Sequence, residues 1–301
     1  MACIEFREIA FRPDKLARIK TVNEIISEYS AQGLRLSLRQ LYYQHVAKGI
    51  LENTERSYKN LGTLVSDGRL AGLIDWDAIE DRGRVADTPS EWSSISSLVD
   101  SALHAYRRPR WEGQPVYAEL WVEKQALAGV LEPLARHYHA TLLVNKGYSS
   151  QSSMFESAKR FKRGMGKHRP GLLFYLGDHD PSGEDMVRDV GDRLCMFGAP
   201  VKVTKIALTM AQIRQYNPPP NPAKLSDSRA AAYVEKHGDS SWEVDALPPN
   251  VLTRLIRAAF DKVIDRKAMD AVIAREEREK TTLKDLAARA EDESNDNDGE
   301  E

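Results

Sequence analysis

Strand-like and helix-like segments alternate from Pro115 onward, and this alternation constrains the fold more than any other feature of the sequence. Four apolar runs are separated by segments whose apolar residues recur at helical spacing; the runs cover 116–122, 141–145, 171–176 and 201–206. Strands that alternate with helices form a parallel sheet, because each helix returns the chain to the same end of the sheet. We therefore predict an α/β fold with a Rossmann-like parallel sheet and helices on both faces.

Acidic residues follow two of these predicted strands. Glu123 comes directly after the first strand, and Asp178 and Asp180 follow the third strand in the segment GDHDPSG. In open parallel sheets, ligands bind beyond the carboxyl ends of the strands. Three converging carboxylates repel one another unless a cation lies between them, and oxygen ligands suit Mg²⁺. We predict a Mg²⁺ site formed by these three residues, with Mn²⁺ as a possible substitute. A lone acidic turn without a metal is the alternative.

The amino-terminal third has the pattern of a small helical domain. Pro13 is placed to start one helix, Ser37 opens a capping-box pattern at the start of a second, and an Asn or Thr near position 54 caps a third. The segment 72–76 is predicted to be extended. Three helices followed by a wing form the winged-helix plan, which we predict for 1–110. A small helical bundle with no role in DNA binding is the alternative.

The second and third of these helices carry the candidate DNA contacts. On the third helix, which would enter the major groove, they are Arg56, Lys59, Asn60 and Thr63. On the second helix, Tyr42 shares a stripe with apolar residues and is predicted to lie in the core. Tyr43 is turned about 100° from it, one helical turn after Arg39. An exposed phenol beside a guanidinium is a candidate pair for a phosphate, and a tyrosine packed on an arginine stem is the alternative.

Taken together, these motifs resemble those of the topoisomerase VI A-subunit family and the related meiotic double-strand-break proteins. The Glu in LWVEK at 120–124 and the Asp-x-Asp in GDHDPSG at 177–183 match the Toprim pattern of that family, and RQLYY at 39–43 matches its Arg-x-x-(Tyr/Phe)-Tyr motif. The segment NKGYS at 145–149 is similar to its Gly-Lys-Gly-Tyr-Pro segment. The resemblance extends from about Leu34 to Ile264 and indicates a compact, stand-alone version of the A subunit.

The resemblance implies a fold, in which a winged helix is followed by a Toprim domain over 111–288 that ends in helical segments. It implies a type IIB topoisomerase A-subunit-like enzyme that makes Mg²⁺-dependent transient or permanent double-strand breaks through a 5′-phosphotyrosyl intermediate. Tyr43 would be the nucleophile and Arg39 would orient the phosphate. Lys124 and Lys146 are candidate contacts to the DNA backbone.

The resemblance further implies a homodimer on double-stranded DNA, in which the tyrosine of one subunit works with the metal site of the other. The sequence contains no Gly-rich ATP-binding motif, so ATP-driven strand passage would need a B-type ATPase subunit encoded elsewhere. Two other functions stay open. One is a Toprim nuclease in which metal-activated water attacks DNA, and the other is a non-catalytic DNA-binding subunit of a larger complex.

Charge and cysteine content agree with a DNA-binding protein of the cytoplasm. The segment 291–301 holds seven acidic residues and no basic one, and the rest of the chain carries a formal charge of about +5. We predict a mildly basic body with an acidic, disordered tail at 289–301. Two cysteines are too few for a zinc site, and no apolar run reaches the roughly 18 residues of a membrane span. We expect a cytoplasmic protein, associated with the nucleoid when bound to DNA.

Overall fold

The computed structural model describes residues 3–80, 89–145, 147–224 and 226–297. The chain divides into two compact units, the first formed by Met1–Gly83 with Tyr117–Lys262 and the second by Arg84–Val116 with Val263–Glu301. The helices are α1 Pro13–Ser30, α2 Leu38–Ala47, α3 Glu55–Leu70, α4 Ile95–Ala105, α5 Ala128–His137, α6 Gln151–Met165, α7 Pro181–Met196, α8 Met210–Tyr216, α9 Ala230–His237, α10 Pro249–Asp261 and α11 Arg266–Asn297. The strands are β1 Leu36–Ser37, β2 Ile79–Glu80, β3 Tyr117–Val122, β4 Leu142–Val144, β5 Gly171–Leu176, β6 Val201–Ala207, β7 Asn221–Pro222 and β8 Ser240–Ser241.

A four-stranded parallel sheet forms the centre of the first unit, in the order β4–β3–β5–β6. Trp121 and Tyr175 lie on one face of this sheet and pack with buried side chains of α6 and α7, among them Phe161. On the other face, Phe174 packs edge-on against Phe260 of α10. Helices therefore cover both faces, and the predicted α/β class with a parallel sheet is confirmed.

Three helices, α1 to α3, form the amino-terminal part of the first unit around an apolar core that includes Ile19, Val22 and Leu41. The predicted capping box at the start of α2 is confirmed, because the Ser37 side chain accepts from the Gln40 main chain and the Gln40 side chain accepts from the Ser37 main chain. Since both free backbone donors are satisfied locally, the start of α2 is determined by residues 37–40 alone.

The predicted extended segment at 72–76 is wrong. The Gly68 carbonyl accepts from the main-chain N–H groups of Leu73 and Ile74, which folds the chain back at the end of α3. The Asp75 side chain then caps a 3₁₀ turn at Trp76–Ala78. The extended residues come later, in β2, which pairs in parallel with β1. The winged-helix arrangement of α1 to α3 stays a prediction.

The second unit contains α4 and the long helix α11, and buried ion pairs connect its two chain segments. Glu276 of α11 accepts from Nη2 of Arg110 at 2.8 Å and from the main-chain N–H of Arg108 at 2.7 Å. Helix α11 continues to Asn297, so the backbone of the acidic segment is helical to that point. Within the described residues, each helix is either too short or too polar to cross a lipid bilayer.

A candidate active site at the carboxyl edge of the sheet

Glu123 and Asp178 meet where β3 and β5 end side by side. The two strands pair through Val122 and Leu176, so the residues that follow them leave the sheet at the same edge. The main-chain N–H of Asp178 donates to Oε2 of Glu123 at 3.0 Å. We predicted from the sequence that these two acids lie at the same edge of the sheet, and in the structure they are in contact.

The carboxylate of Asp178 is buried and has a partner on each oxygen. Its Oδ2 atom lies 2.7 Å from the Lys124 ammonium, and its Oδ1 atom accepts from the main-chain N–H of Val244 at 2.9 Å. Burial raises the pKa of Asp178, although the ammonium and the Val244 N–H both favour the charged form. Lys124, predicted to contact DNA, therefore lies inside the acidic cluster and pairs with it.

Asp180 caps α7 with the carboxylate oxygen Oδ1. This atom accepts from the main-chain N–H of Gly183 at 2.6 Å and from the Ser182 hydroxyl at 2.9 Å, while Pro181 occupies the first helical position. The turn is so tight that a Cβ on Gly183 would lie 2.3 Å from the Asp178 carbonyl oxygen. Glycine is therefore required at 183 to hold the two aspartates on one short loop.

The three predicted metal ligands do not surround one point. Among the described residues, no three His, Cys, Asp or Glu side chains are arranged to hold one metal ion. The oxygens of Asp178 are taken by Lys124 and Val244, and one oxygen of Asp180 caps a helix. Part of the positive charge that we expected from Mg²⁺ is supplied here by the Lys124 ammonium. The Mg²⁺ site stays a prediction.

Two further acids complete the cluster, and sequence reasoning assigned them no role. Glu243 and Asp245 lie on the segment WEVDAL, which forms a 3₁₀ turn at Val244–Ala246. Reciprocal main-chain hydrogen bonds between Trp242 and His179, at 2.8 and 3.0 Å, hold this segment against the loop of the two aspartates. The sequence shows these two acids inside an otherwise apolar segment, which is unusual. It does not show which residues they contact.

Tyr43 is buried, so the prediction that its phenol is exposed is wrong. Only 4% of the residue is accessible, and its hydroxyl donates to Oε2 of Glu243 at 2.8 Å. The prediction considered the periodicity of α2 alone, whereas the segment that carries Glu243 comes from about 200 residues further along the chain and covers this side of the helix. Tyr42 is buried as predicted.

Arg39 lies beside Tyr43 as the helical spacing predicted, with its guanidinium carbon 5.7 Å from the centre of the tyrosine ring. It is not a free phosphate ligand, however. Its Nε atom donates to Oδ2 of Asp245 at 2.7 Å, and its Nη2 atom pairs with Oε2 of Glu243. The Nε and Nη2 groups of the guanidinium are therefore already bound to carboxylates.

The cluster carries more negative than positive charge. Burial and the charge of Asp178 raise the pKa of Glu123 to about 7, and burial raises that of Asp245 to about 7 against the attraction of Arg39. Burial also disfavours the charged form of Glu243, but Lys124 and Arg39 outweigh it and lower that pKa to about 2. The Oδ1 atom of Asp245 is buried and has no hydrogen-bond partner among the described residues.

Burial and the negative charges of Asp245 and Glu243 also raise the pKa of the Tyr43 phenol well above its ordinary value. The phenol is therefore protonated at neutral pH, and in this arrangement it is a poor nucleophile.

The candidate DNA contacts on α3 differ from the cluster, because they are exposed. Arg56, Lys59, Asn60 and Thr63 all lie on the accessible side of the helix, and Lys59 forms an exposed pair with Glu55 at 2.8 Å. Lys146, another predicted DNA contact, lies outside the described residues. The exposed polar face of α3 is thus distinct from the buried charged cluster at the sheet edge.

No family model matches the chain, and no curated protein matches it. The motifs that carry the resemblance, at 39–43, 120–124 and 177–183, together make up a small part of the 301 residues. Membership of the topoisomerase VI A-subunit family therefore stays a prediction, and the function is inferred from the site and these motifs.

Proposed function

We propose that this chain is a DNA-cleaving transesterase of the topoisomerase VI A-subunit type, with Tyr43 as the nucleophile. One observation supports this proposal above the others: the motif tyrosine and the strand-end acids belong to one continuous chain of contacts. The hydroxyl of Tyr43 donates to Glu243, Glu243 lies 3.6 Å from Lys124, Lys124 pairs with Asp178, and the Asp178 main chain donates to Glu123.

Cleavage would proceed by attack of the Tyr43 oxygen on a backbone phosphorus. The phenol loses its proton to water as the new bond joins the tyrosine oxygen to the 5′ phosphate. The bond from phosphorus to the 3′ oxygen breaks, and that oxygen takes up a proton from water as a 3′ hydroxyl. The energy of the broken ester is retained in the tyrosyl ester, so religation is possible. Arg39 and Lys124 would hold the phosphate by charge-assisted hydrogen bonds and would lower the pKa of the phenol once Glu243 releases them.

A divalent cation fits the chemistry of this cluster. Glu123, Asp178 and Asp180 offer the oxygen ligands that Mg²⁺ and Mn²⁺ prefer, and the raised pKa of Glu123 together with the partnerless oxygen of Asp245 marks a surplus of negative charge. These three residues would hold the ion once Lys124 releases Asp178 and the three carboxylates turn toward one point. Bound there, it would neutralise charge on the phosphate and on the leaving oxygen.

The remaining parts of the proposal concern partners. The exposed side chains of α3 would contact double-stranded DNA, with α1 to α3 acting as a winged helix. A homodimer would place one site on each strand of the duplex. Because Tyr43 contacts the acids of its own chain, each site would be formed within one subunit, whereas the motif resemblance implies a site shared between subunits. A B-type ATPase subunit would be needed for strand passage. The exposed face of α3 supports the DNA contact, while the dimer and the ATPase partner follow from the motif resemblance alone.

The test is covalent attachment of the protein to DNA. Supercoiled DNA is incubated with the full chain and Mg²⁺ or Mn²⁺, denatured with detergent and digested with protease, which releases linear product from any adduct. We expect Tyr43→Phe to reduce the adduct at least about a thousandfold, because the nucleophilic oxygen is removed. The matched control is Tyr42→Phe, which removes the neighbouring hydroxyl and should leave the adduct unchanged.

Burial of Tyr43 favours a second candidate, a Toprim-type nuclease in which metal-activated water replaces the tyrosine. Cleavage that survives Tyr43→Phe and leaves no adduct would support the nuclease and contradict the first proposal. Absence of cleavage with either metal, with or without partner proteins, combined with DNA binding that is indifferent to Asp178→Ala, would contradict both and leave a non-catalytic DNA-binding subunit.

A further inference from the structure

We propose that the Glu243 carboxylate occupies the position of a DNA phosphate in the resting site and binds the Tyr43 hydroxyl until a phosphate displaces it. This inference rests on the proposed function, because it assigns a regulatory role to a residue of the same site. It makes Glu243 an internal competitor of the substrate.

Three donors converge on a single oxygen of Glu243. Its Oε2 atom accepts from the Tyr43 hydroxyl at 2.8 Å, pairs with the Arg39 guanidinium, and lies 3.6 Å from the Lys124 ammonium. A hydroxyl, a guanidinium and an ammonium are the donors that also suit a phosphate oxygen. The carboxylate therefore makes the contacts that an incoming backbone phosphate would need for attack by Tyr43.

The two acids of the segment are placed for different tasks. Asp245 has a side chain with 0% exposure and holds the Nε side of Arg39, so it keeps the guanidinium in position. Glu243 binds the Nη2 side, and its side chain is 24% exposed. Replacement of Glu243 by a phosphate would leave Arg39 anchored by Asp245.

Glu243 can leave without unfolding the turn that carries it. The turn is held by the main-chain hydrogen bonds between Trp242 and His179 and by the bond from the Val244 N–H to Asp178, none of which involves the Glu243 side chain. Rotation about the side-chain bonds of Glu243 is therefore sufficient to expose Arg39 and Lys124, whose side chains are already 38% and 24% accessible.

The experiment measures DNA binding without catalysis. A short fluorescent duplex is titrated with the full chain in EDTA at one fixed salt concentration, and anisotropy gives the affinity. We expect Glu243→Gln to bind about tenfold more tightly than the unaltered protein, because the phosphate no longer competes with a carboxylate for charge-assisted hydrogen bonds. The control is Glu235→Gln on the exposed side of α9, which makes the same change of net charge at a distance from the cluster.

A double variant tests whether the gain comes through the proposed donors. In Lys124→Gln with Glu243→Gln, most of the gain should be lost. Equal affinities for Glu243→Gln and Glu235→Gln would overturn the proposal, and so would a gain that persists undiminished in the double variant. Thermal melting checks that each variant is folded. If Glu243→Gln fails to fold, Glu243→Asp, whose carboxylate reaches less far, should show a smaller gain, and no gain there would also overturn the proposal.

The outcome is separable from that of the proposed function. If the unaltered protein forms no adduct while Glu243→Gln binds DNA more tightly, the transesterase proposal fails and the competitor role of Glu243 stands. If the adduct forms but Glu243→Gln loses it with unchanged binding, Glu243 takes part in the chemistry and the competitor role is overturned.

Discussion

Two buried ion networks in this protein use the same residue types with opposite balances of charge. In the second unit, a single acid, Glu276, is surrounded by donors: Arg110 at 2.8 Å, Lys280 at 3.0 Å and the main-chain N–H of Arg108. Burial disfavours the charged form of Glu276, but these donors outweigh it and lower its pKa. Each negative oxygen there has a positive or hydrogen-bonding partner, as expected of a network that only holds two chain segments together.

At the carboxyl edge of the sheet the balance is reversed. Four acids (Glu123, Asp178, Glu243 and Asp245) interact with two cations, Arg39 and Lys124, and the pKa values of Glu123 and Asp245 rise to about 7. Such a surplus of buried negative charge opposes folding unless a cation or another ligand relieves it. Perturbed groups of this kind concentrate at functional sites, so the difference between the two networks separates a structural cluster from a candidate active site.

The largest effect on stability is expected from breaking the network around Glu276. Glu276→Ala leaves the buried Arg110 without its carboxylate and should lower the free energy of unfolding by about 3 kcal/mol. Urea denaturation measures the change. Glu277→Ala removes an exposed acid from the next position of the same helix and should change stability little. Equal losses for the two variants would contradict the structural role of Glu276.

A substitution in the cluster at the sheet edge should change stability in the opposite direction. Because the pKa of Asp245 is raised in the folded state, its ionisation costs stability progressively from about pH 4 to pH 7, and the full cost applies above pH 7. Asp245→Asn should therefore stabilise the protein by about 2 kcal/mol at pH 8. The gain should shrink as the pH falls toward 4, as measured by urea denaturation across that range. A loss of stability at pH 8 would show that the hydrogen bond from Arg39 outweighs the surplus charge.

The smallest effect is expected on the exposed face of α3, which belongs to neither network. Lys59→Ala should weaken duplex binding about threefold and lower the salt slope of the affinity by about one, because one phosphate contact is removed. Anisotropy at several salt concentrations measures both quantities. Lys20→Ala on α1, an exposed lysine outside α3, is the control and should leave the slope unchanged.

The elements that local sequence patterns specify could be predicted, and the site could be predicted only in part. The parallel sheet and the capping box at Ser37 follow from alternation and from residues within one turn of each other. Burial of Tyr43 could not be predicted, because it depends on Glu243, which lies 200 residues away. The turn at 72–76 was missed for a different reason: its hydrogen bonds go to the main chain of Gly68, which leaves no side-chain signature.

The paired main-chain hydrogen bonds between His179 and Trp242 have a consequence for communication within the protein. They join the loop that carries Asp178 to the segment that carries Glu243, so neither can shift far without the other. If a cation bound at the Asp178 loop alters the affinity of Arg39 and Lys124 for an anion, thermodynamic reciprocity requires that the anion alter the affinity for the cation by the same factor. Cation binding at the sheet edge and release of the Tyr43 hydroxyl would then be coupled through this pair of hydrogen bonds.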